Sequence, residues 1–303
     1  QIKFSSFLSK LDEENILVFI ALGNHDPLIS ISELKKTWPK NVYVFSDAAP
    51  ETFKLEVRGE QVCFHGASYA SNEEQRDLAS LFPSKVSGAY NVGVLHTNVN
   101  GNSNHSNYAP TSLSTLTSLG YDYFALGHVH KREILCEHPL VAYSGNTQGL
   151  SAKPSEREPK GCFLVNIESP GSTATAKFHA TDRARYISLD LACEARNFED
   201  ITEAYEDLLR SSNLDSTILY MVRLNISIPA LDYFIDEETL RIQLNEMRSN
   251  AIVTKVKVRQ SGESWEKLIE SEDFFARIND SLINSDLDFD KEIYGDKKEK
   301  IEQ

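Results

Sequence analysis

A chain of 303 residues, 41% hydrophobic and 25% charged, is long enough for one large domain or two ordinary ones with a sizeable core. The net charge of −14 excludes wrapping of nucleic acid by a generally basic surface, and the longest apolar run, residues 16–22, is far too short to span a bilayer. Cys63, Cys136, Cys162 and Cys193 are scattered with no Cys-x-x-Cys pair, which points to free thiols in a reducing, cytoplasmic setting and away from a zinc knuckle or a disulfide framework.

In chain order, residues 4–11 place Phe4, Phe7, Leu8 and Leu11 at helical spacing, and the apolar run 16–22 then reads as a buried strand. A helix followed by a fully apolar strand indicates an α/β layer. Residues 42–45 form a second strand, and "FKLEVRGEQVCFHG" alternates about Arg58–Gly59 as a β-hairpin. A short helix at 78–82, a strand at 91–95, a polar loop at 98–107 and a helix at 113–119 stopped by Gly120 follow. Strands are expected at 123–126, 134–135, 141–143, 162–167 and 174–180, with "SPGST" as the turn before the last. From residue 187 the pattern changes to β-α-β-α-β. Its strands are 187–191, 219–228 and 252–258, with one helix capped by Asn197 and another running from the Asp236 cap to Met247. Residues 264–283 read as helical. The stretch 263–303 holds 13 acidic and 6 basic residues, a solvated acidic segment.

Three of these strands end in chemistry. "GNHD" (Asn24, His25, Asp26) follows the first, His96 ends another, and "GHVH" (His128, His130) ends a third. In open α/β sheets functional groups collect beyond the carboxyl ends of strands, so three distant segments can converge. An amide oxygen with imidazole nitrogens suits a divalent ion of intermediate hardness, such as Mn²⁺ or Fe²⁺. Strand alternation points both imidazoles of "GHVH" the same way, toward two neighbouring ions. Gly23 and Gly127 permit the tight exits from the strands.

"GNHD", "LHTN" and "YDYFALGHVHKRE" resemble the calcineurin-like metallophosphoesterase superfamily, and "YSGNTQG" with "EPKGCFLVNIE" resembles its DNA-repair exonuclease branch, the SbcD-type nuclease subunits. The resemblance implies an α/β (α+β) fold, a two-sheet sandwich flanked by helices with a small C-terminal α/β capping domain. Residues 1–182 are then the nuclease domain, 183–262 the capping domain and 263–303 a helical acidic segment. It implies two divalent ions, Mn²⁺ foremost, with Fe²⁺, Mg²⁺ or Zn²⁺ as alternatives. Asn24, His96 and His128 hold one ion and His130 the other, while His25 serves as proton donor and Asp26 orients it. Two cations about 3.5–4 Å apart polarise the phosphoryl group and a bridging hydroxide, and a histidine supplies the proton for the departing sugar oxygen. DNA, an SbcC-type coiled-coil ATPase and a second copy of the chain are the implied partners.

The chain departs from the family in lacking the D-x-H and G-D-x-x-D motifs before "GNHD"; Asp12, Glu13 and Glu14 are the only acids there. The bridging carboxylate is therefore missing, and the chain is expected to be N-terminally incomplete and inactive as it stands.

Substrate contacts are expected from His65 at a hairpin end, His105 in the polar loop, Lys131 and Arg132 beyond "GHVH", and Ser144, Asn146 and Gln148 of "YSGNTQG". An ordinary turn, or a solvated surface, is the plainer account of each. Two other functional readings compete with a DNA phosphodiesterase. One is a phosphatase or cyclic-nucleotide phosphodiesterase of the same superfamily, which the extra small domain disfavours. The other is a non-catalytic DNA-binding or scaffold subunit, which the intact ligands disfavour.

Overall fold

The computed structural model describes residues 2–101, 107–229, 235–247 and 249–261. It opens with helix α1 (Ile2–Glu13), which buries Leu8 and leaves Phe4 and Phe7 exposed. Asn15, in the left-handed region at φ 56°, turns the chain out of the helix. Strand β1 (Val18–Ile20) is shorter than the apolar run 16–22 predicts. Past Ile20 the backbone leaves the sheet: Leu22 N–H donates to Ser68 Oγ at 3.1 Å, and Tyr69 N–H donates to Leu22 O at 3.0 Å. Helix α2 (Leu28–Lys35) follows Pro27 and was not legible in its pattern. Strand β2 (Val42–Val44) pairs with β1 in parallel.

Strands β3 (Glu51–Val57) and β4 (Glu60–Ala67) form the expected hairpin. Arg58 and Gly59 both have positive φ, at 53° and 83°, which is the two-residue turn that matches strand twist. A 3-10 turn, Ala79–Leu81, stands where a short helix was expected. Strand β5 (Tyr90–His96), helix α3 (Leu113–Ser118), strand β6 (Tyr123–Gly127), and strands β7 (Glu133–Glu137) and β8 (Leu140–Tyr143) complete a six-stranded mixed sheet ordered β3-β4-β5-β6-β8-β7. Strands β4, β5, β6 and β8 run parallel, so their carboxyl ends share one rim.

One face of this sheet carries a core of Leu95, Phe124, Leu126, Leu116, Tyr121 and Leu78. Each such side chain, fully buried, favours folding by about 1.5–3 kcal/mol. On the other face Phe19 of β1 stacks on Phe64 of β4, with ring centroids 3.6 Å apart. Gly93 leaves room for the Phe124 ring, which an added Cβ would meet at 2.4 Å.

Strands β9 (Gly161–Asn166) and β10 (Thr175–Ala180) pair antiparallel about the "SPGST" turn, as predicted. Beyond them come strand β11 (Ala184–Ala192), helix α4 (Phe198–Ser211), strand β12 (Leu219–Pro229), helix α5 (Glu237–Glu246) and strand β13 (Ala251–Ser261), with β12 central in a three-stranded sheet. Both predicted caps are made: Asn197 accepts from Asp200 N at 2.9 Å, and Asp236 accepts from Thr239 N at 2.8 Å. This mixed α/β architecture agrees with the metallophosphoesterase fold class.

The chain forms two compact units. The first takes in the described residues to Ser188, with Leu214–Arg223 and residues 249–254. The second takes in Leu189–Asn213 and the described residues of 224–247 and 255–261. In the second, Ile201 and Tyr205 of α4 and Leu240 and Leu244 of α5 are buried, as are Leu224, Ile226 and Ile228 of β12. Residues 263–303, with their expected helices, lie outside the described residues.

Candidate functional site

The site forms at the carboxyl ends of β5 and β6, where His96 pairs in register with Gly127. The "GNHD" turn reaches this rim after β1 and is held from two sides. Gly23 N–H donates to Asp26 Oδ1 at 3.0 Å, closing the turn on itself. Asn72 Nδ2 donates to the Asn24 backbone carbonyl at 2.8 Å and ties the turn to the segment after β4. The Asp26 carboxylate, expected to orient His25, thus has its hydrogen bond with Gly23 among the described residues, and His25 is exposed.

Three predicted ligands meet. His96 Nε2 lies 3.0 Å from Asn24 Oδ1 and 3.3 Å from His128 Nδ1. His128 does not continue the strand: β6 stops at Gly127, and His128 takes a positive φ of 101°. The alternation expected across "GHVH" therefore fails, and a left-handed residue, uncommon outside glycine, aims the first imidazole instead. The two glycines serve the site by being small. A Cβ on Gly23 would stand 2.5 Å from the His96 ring, and one on Gly127 would stand 3.0 Å from His96 Nδ1. Neither has the positive φ that a tight exit from a strand would need. The Tyr69 ring, fully buried, meets His96 edge-on at 5.2 Å.

Burial foremost, then the neighbouring His128, His25 and His130, push the His96 imidazole down to about 3. Its ring is therefore neutral at physiological pH and has a lone pair to offer a metal. Ligands bound at about 2.1 Å and at right angles to one another are roughly 3 Å apart. The two separations in the trio match that spacing, and an amide oxygen with two imidazoles fits a divalent cation. Among the described residues no group of three or more His, Cys, Asp or Glu side chains is placed to hold a metal. The trio's donors are one amide oxygen and two imidazole nitrogens, with no carboxylate among them. A cavity of about 270 Å³ opens beside it, lined by Phe19, Ala21, Val94, His96, Gly127 and Ser144 among others.

His130 lies close enough for its charge to depress His96, yet its ring is bound elsewhere. Its Nδ1 is 2.6 Å from Oε1 of the buried Glu156. Glu156 also accepts from Asn146 Nδ2 at 2.8 Å and from Leu150 N at 3.3 Å. Burial raises the Glu156 carboxyl, but these donors outweigh it and hold the group below the usual carboxylate range. Glu156 was not singled out by its sequence: it sits in the charged run "KPSEREPK", which reads as solvated loop.

The expected substrate contacts sort differently. His65 is a correction. It is fully buried, its Nδ1 2.9 Å from Thr52 Oγ1 and its Nε2 3.1 Å from Asn91 Oδ1, and it stacks on Tyr121. A hairpin end in the sequence has become a core position because β5 pairs over it. The Gln148 amide is likewise spent inside the fold: its Oε1 accepts from Arg183 N at 2.9 Å and its Nε2 donates to Ala184 O. Asn146 Nδ2 serves Glu156, as above. Ser144 lines the cavity and stays at the site. Arg132 Cζ lies over the Phe178 ring, 3.8 Å from its centroid, whereas Lys131 is exposed. His105 lies outside the described residues.

No family model matches the chain. It is 28% identical over 303 residues to the uncharacterized metallophosphoesterase YhaO of Bacillus subtilis, a match covering 94% of this chain and 72% of that protein. It is 28% identical over 168 residues to the DNA double-strand break repair protein Mre11 of Methanocaldococcus jannaschii, covering 52% of this chain and 44% of that protein. Together these similarities support the calcineurin-like metallophosphoesterase superfamily, and with it a phosphoester hydrolase that uses divalent metal.

Proposed function

We propose that this chain serves a metal-dependent phosphodiesterase acting on DNA, with Asn24, His96 and His128 as ligands of one cation. The observation that carries the reading is the approach of an amide oxygen and a second imidazole nitrogen, from distant segments, to His96 Nε2. The similarity to the DNA double-strand break repair protein supports DNA as substrate. A bound divalent cation polarises a phosphoryl oxygen and lowers the pKa of a bound water.

The chain's own residues do the rest. Asn24 presents its amide oxygen from a turn that Asp26 and Asn72 hold rigid. His25, exposed beside that turn, gives a proton to the departing sugar oxygen. Lys131, exposed beyond β6, meets the phosphate backbone despite the chain's net negative charge. His130 serves a second cation. In keeping with the repair-nuclease branch, residues 183–262 act as a capping domain, and an SbcC-type ATPase and a second copy of the chain are partners.

The test is duplex DNA with the purified 303-residue chain, with and without Mn²⁺. The reading expects Mn²⁺-dependent DNA binding with slow cleavage, because no D-x-H or G-D carboxylate precedes Gly23. Rapid cleavage would overturn the missing-bridge part of the account. Binding indifferent to Mn²⁺ would overturn the DNA phosphodiesterase reading.

A further inference from the structure

The segment between β8 and β9 is folded around a single buried acid. Glu156 follows Pro154 in a 3-10 turn, and its carboxylate lies within hydrogen-bond distance of three groups: His130 Nδ1, Asn146 Nδ2 and Leu150 N. Lys160, also buried, donates from Nζ to the His130 carbonyl at 2.8 Å and to the Ser155 carbonyl. Two glycines let the segment close. A Cβ on Gly145, whose φ is 76°, would stand 2.6 Å from the His130 carbonyl oxygen, and one on Gly149 would stand 2.6 Å from that of Glu156. His130 is thus gripped at its ring by Glu156 and at its carbonyl by Lys160, both from one segment.

We propose that Glu156 is the positioning residue for His130. It fixes the ring with Nδ1–H turned toward the carboxylate and directs Nε2 as the nitrogen that serves a cation. An ionised carboxylate only accepts hydrogen bonds, so the proton in this pair sits on His130 Nδ1. A histidine whose Nδ1–H donates to a carboxylate is oriented and made more basic at Nε2, and loss of such a partner typically weakens metal affinity about 10–100-fold. This assignment rests on the proposed metal site, but its first readout does not.

The test is two-bond ¹H–¹⁵N spectroscopy of the histidine rings at pH 8, with His130 assigned by comparison with His130→Gln. The wild type is expected to show His130 protonated on Nδ1, and Glu156→Gln to shift it toward Nε2–H or a mixture. Wild-type His130 protonated on Nε2 overturns the proposal, as does a tautomer indifferent to Glu156→Gln in a folded protein. The second readout is calorimetric titration with Mn²⁺. Glu156→Gln is expected to weaken the ion bound through His130 about tenfold or more, with no further loss when combined with His130→Gln. Fully additive losses overturn the proposal. If the wild type bound no Mn²⁺ at all, the phosphodiesterase reading would fall while the tautomer still decided the role of Glu156.

Discussion

Gly23 and His96 are packed so closely that a methyl group on the glycine would stand 2.5 Å from two atoms of the imidazole and 2.7 Å from a third. A residue in the "GNHD" turn thereby sets the position of a ring at the end of β5, far away in sequence. Alanine at this position is expected to push His96 off Asn24 and His128. Overpacking of this kind typically costs about 1–3 kcal/mol. Gly23→Ala should therefore lower the thermal midpoint and abolish Mn²⁺ binding together. A variant that keeps Mn²⁺ affinity would show that His96 is not held as described.

Tyr143 braces the segment that leaves His96. Its hydroxyl donates to Thr97 O at 2.8 Å and accepts from Val99 N at 3.1 Å, all in buried surroundings. Tyr143→Phe leaves both backbone groups without that partner, a loss of about 1–3 kcal/mol for an unsatisfied buried group. Urea unfolding should show it. A change within error would mean that other groups take up the two bonds.

His65 makes the fold sensitive to acid. Burial foremost, with a smaller push from Lys54, lowers its pKa below the ordinary 6.5, against the opposing bond to Asn91. The unfolded chain therefore binds the proton more readily than the folded one. The stability this group supports is complete above about pH 6.5 and declines as pH falls below that value. Unfolding midpoints measured from pH 7.5 down to pH 5 should fall, and the slope should flatten in His65→Gln. A slope unchanged by that variant would assign the acid sensitivity to other groups.

Much of the fold was legible in the sequence because its signals are local. The Arg58–Gly59 hairpin, the Asn197 and Asp236 caps and the "SPGST" turn each depend on residues within a few positions of one another. The length of β1 was not legible, because Ser68 and Tyr69 compete for the backbone of Leu22 from 46 residues and more away. At the site, the motifs singled out Asn24, His96 and His128, and the side chains of Asn24 and His128 lie within 3.0–3.3 Å of His96 Nε2. Their aim was misread: the positive φ of His128 and the room at Gly23 and Gly127 follow from packing, not from alternation. Glu156 and Asn72 were missed for the same reason. An acid in a charged run looks solvated until the chain closes over it, and an exposed asparagine in a polar loop gains its partner only when the fold brings the Asn24 carbonyl beside it.

The account stands or falls on the Asn24–His96–His128 trio as a cation site. Its most direct test is calorimetric titration of Mn²⁺ into the 303-residue chain, repeated with Asn24→Ala, His128→Ala and the exposed control His179→Ala. The predicted result is saturable binding in the wild type and in His179→Ala, with affinity lost by about tenfold or more in each trio variant. Equal Mn²⁺ affinity in His128→Ala and His179→Ala would contradict it.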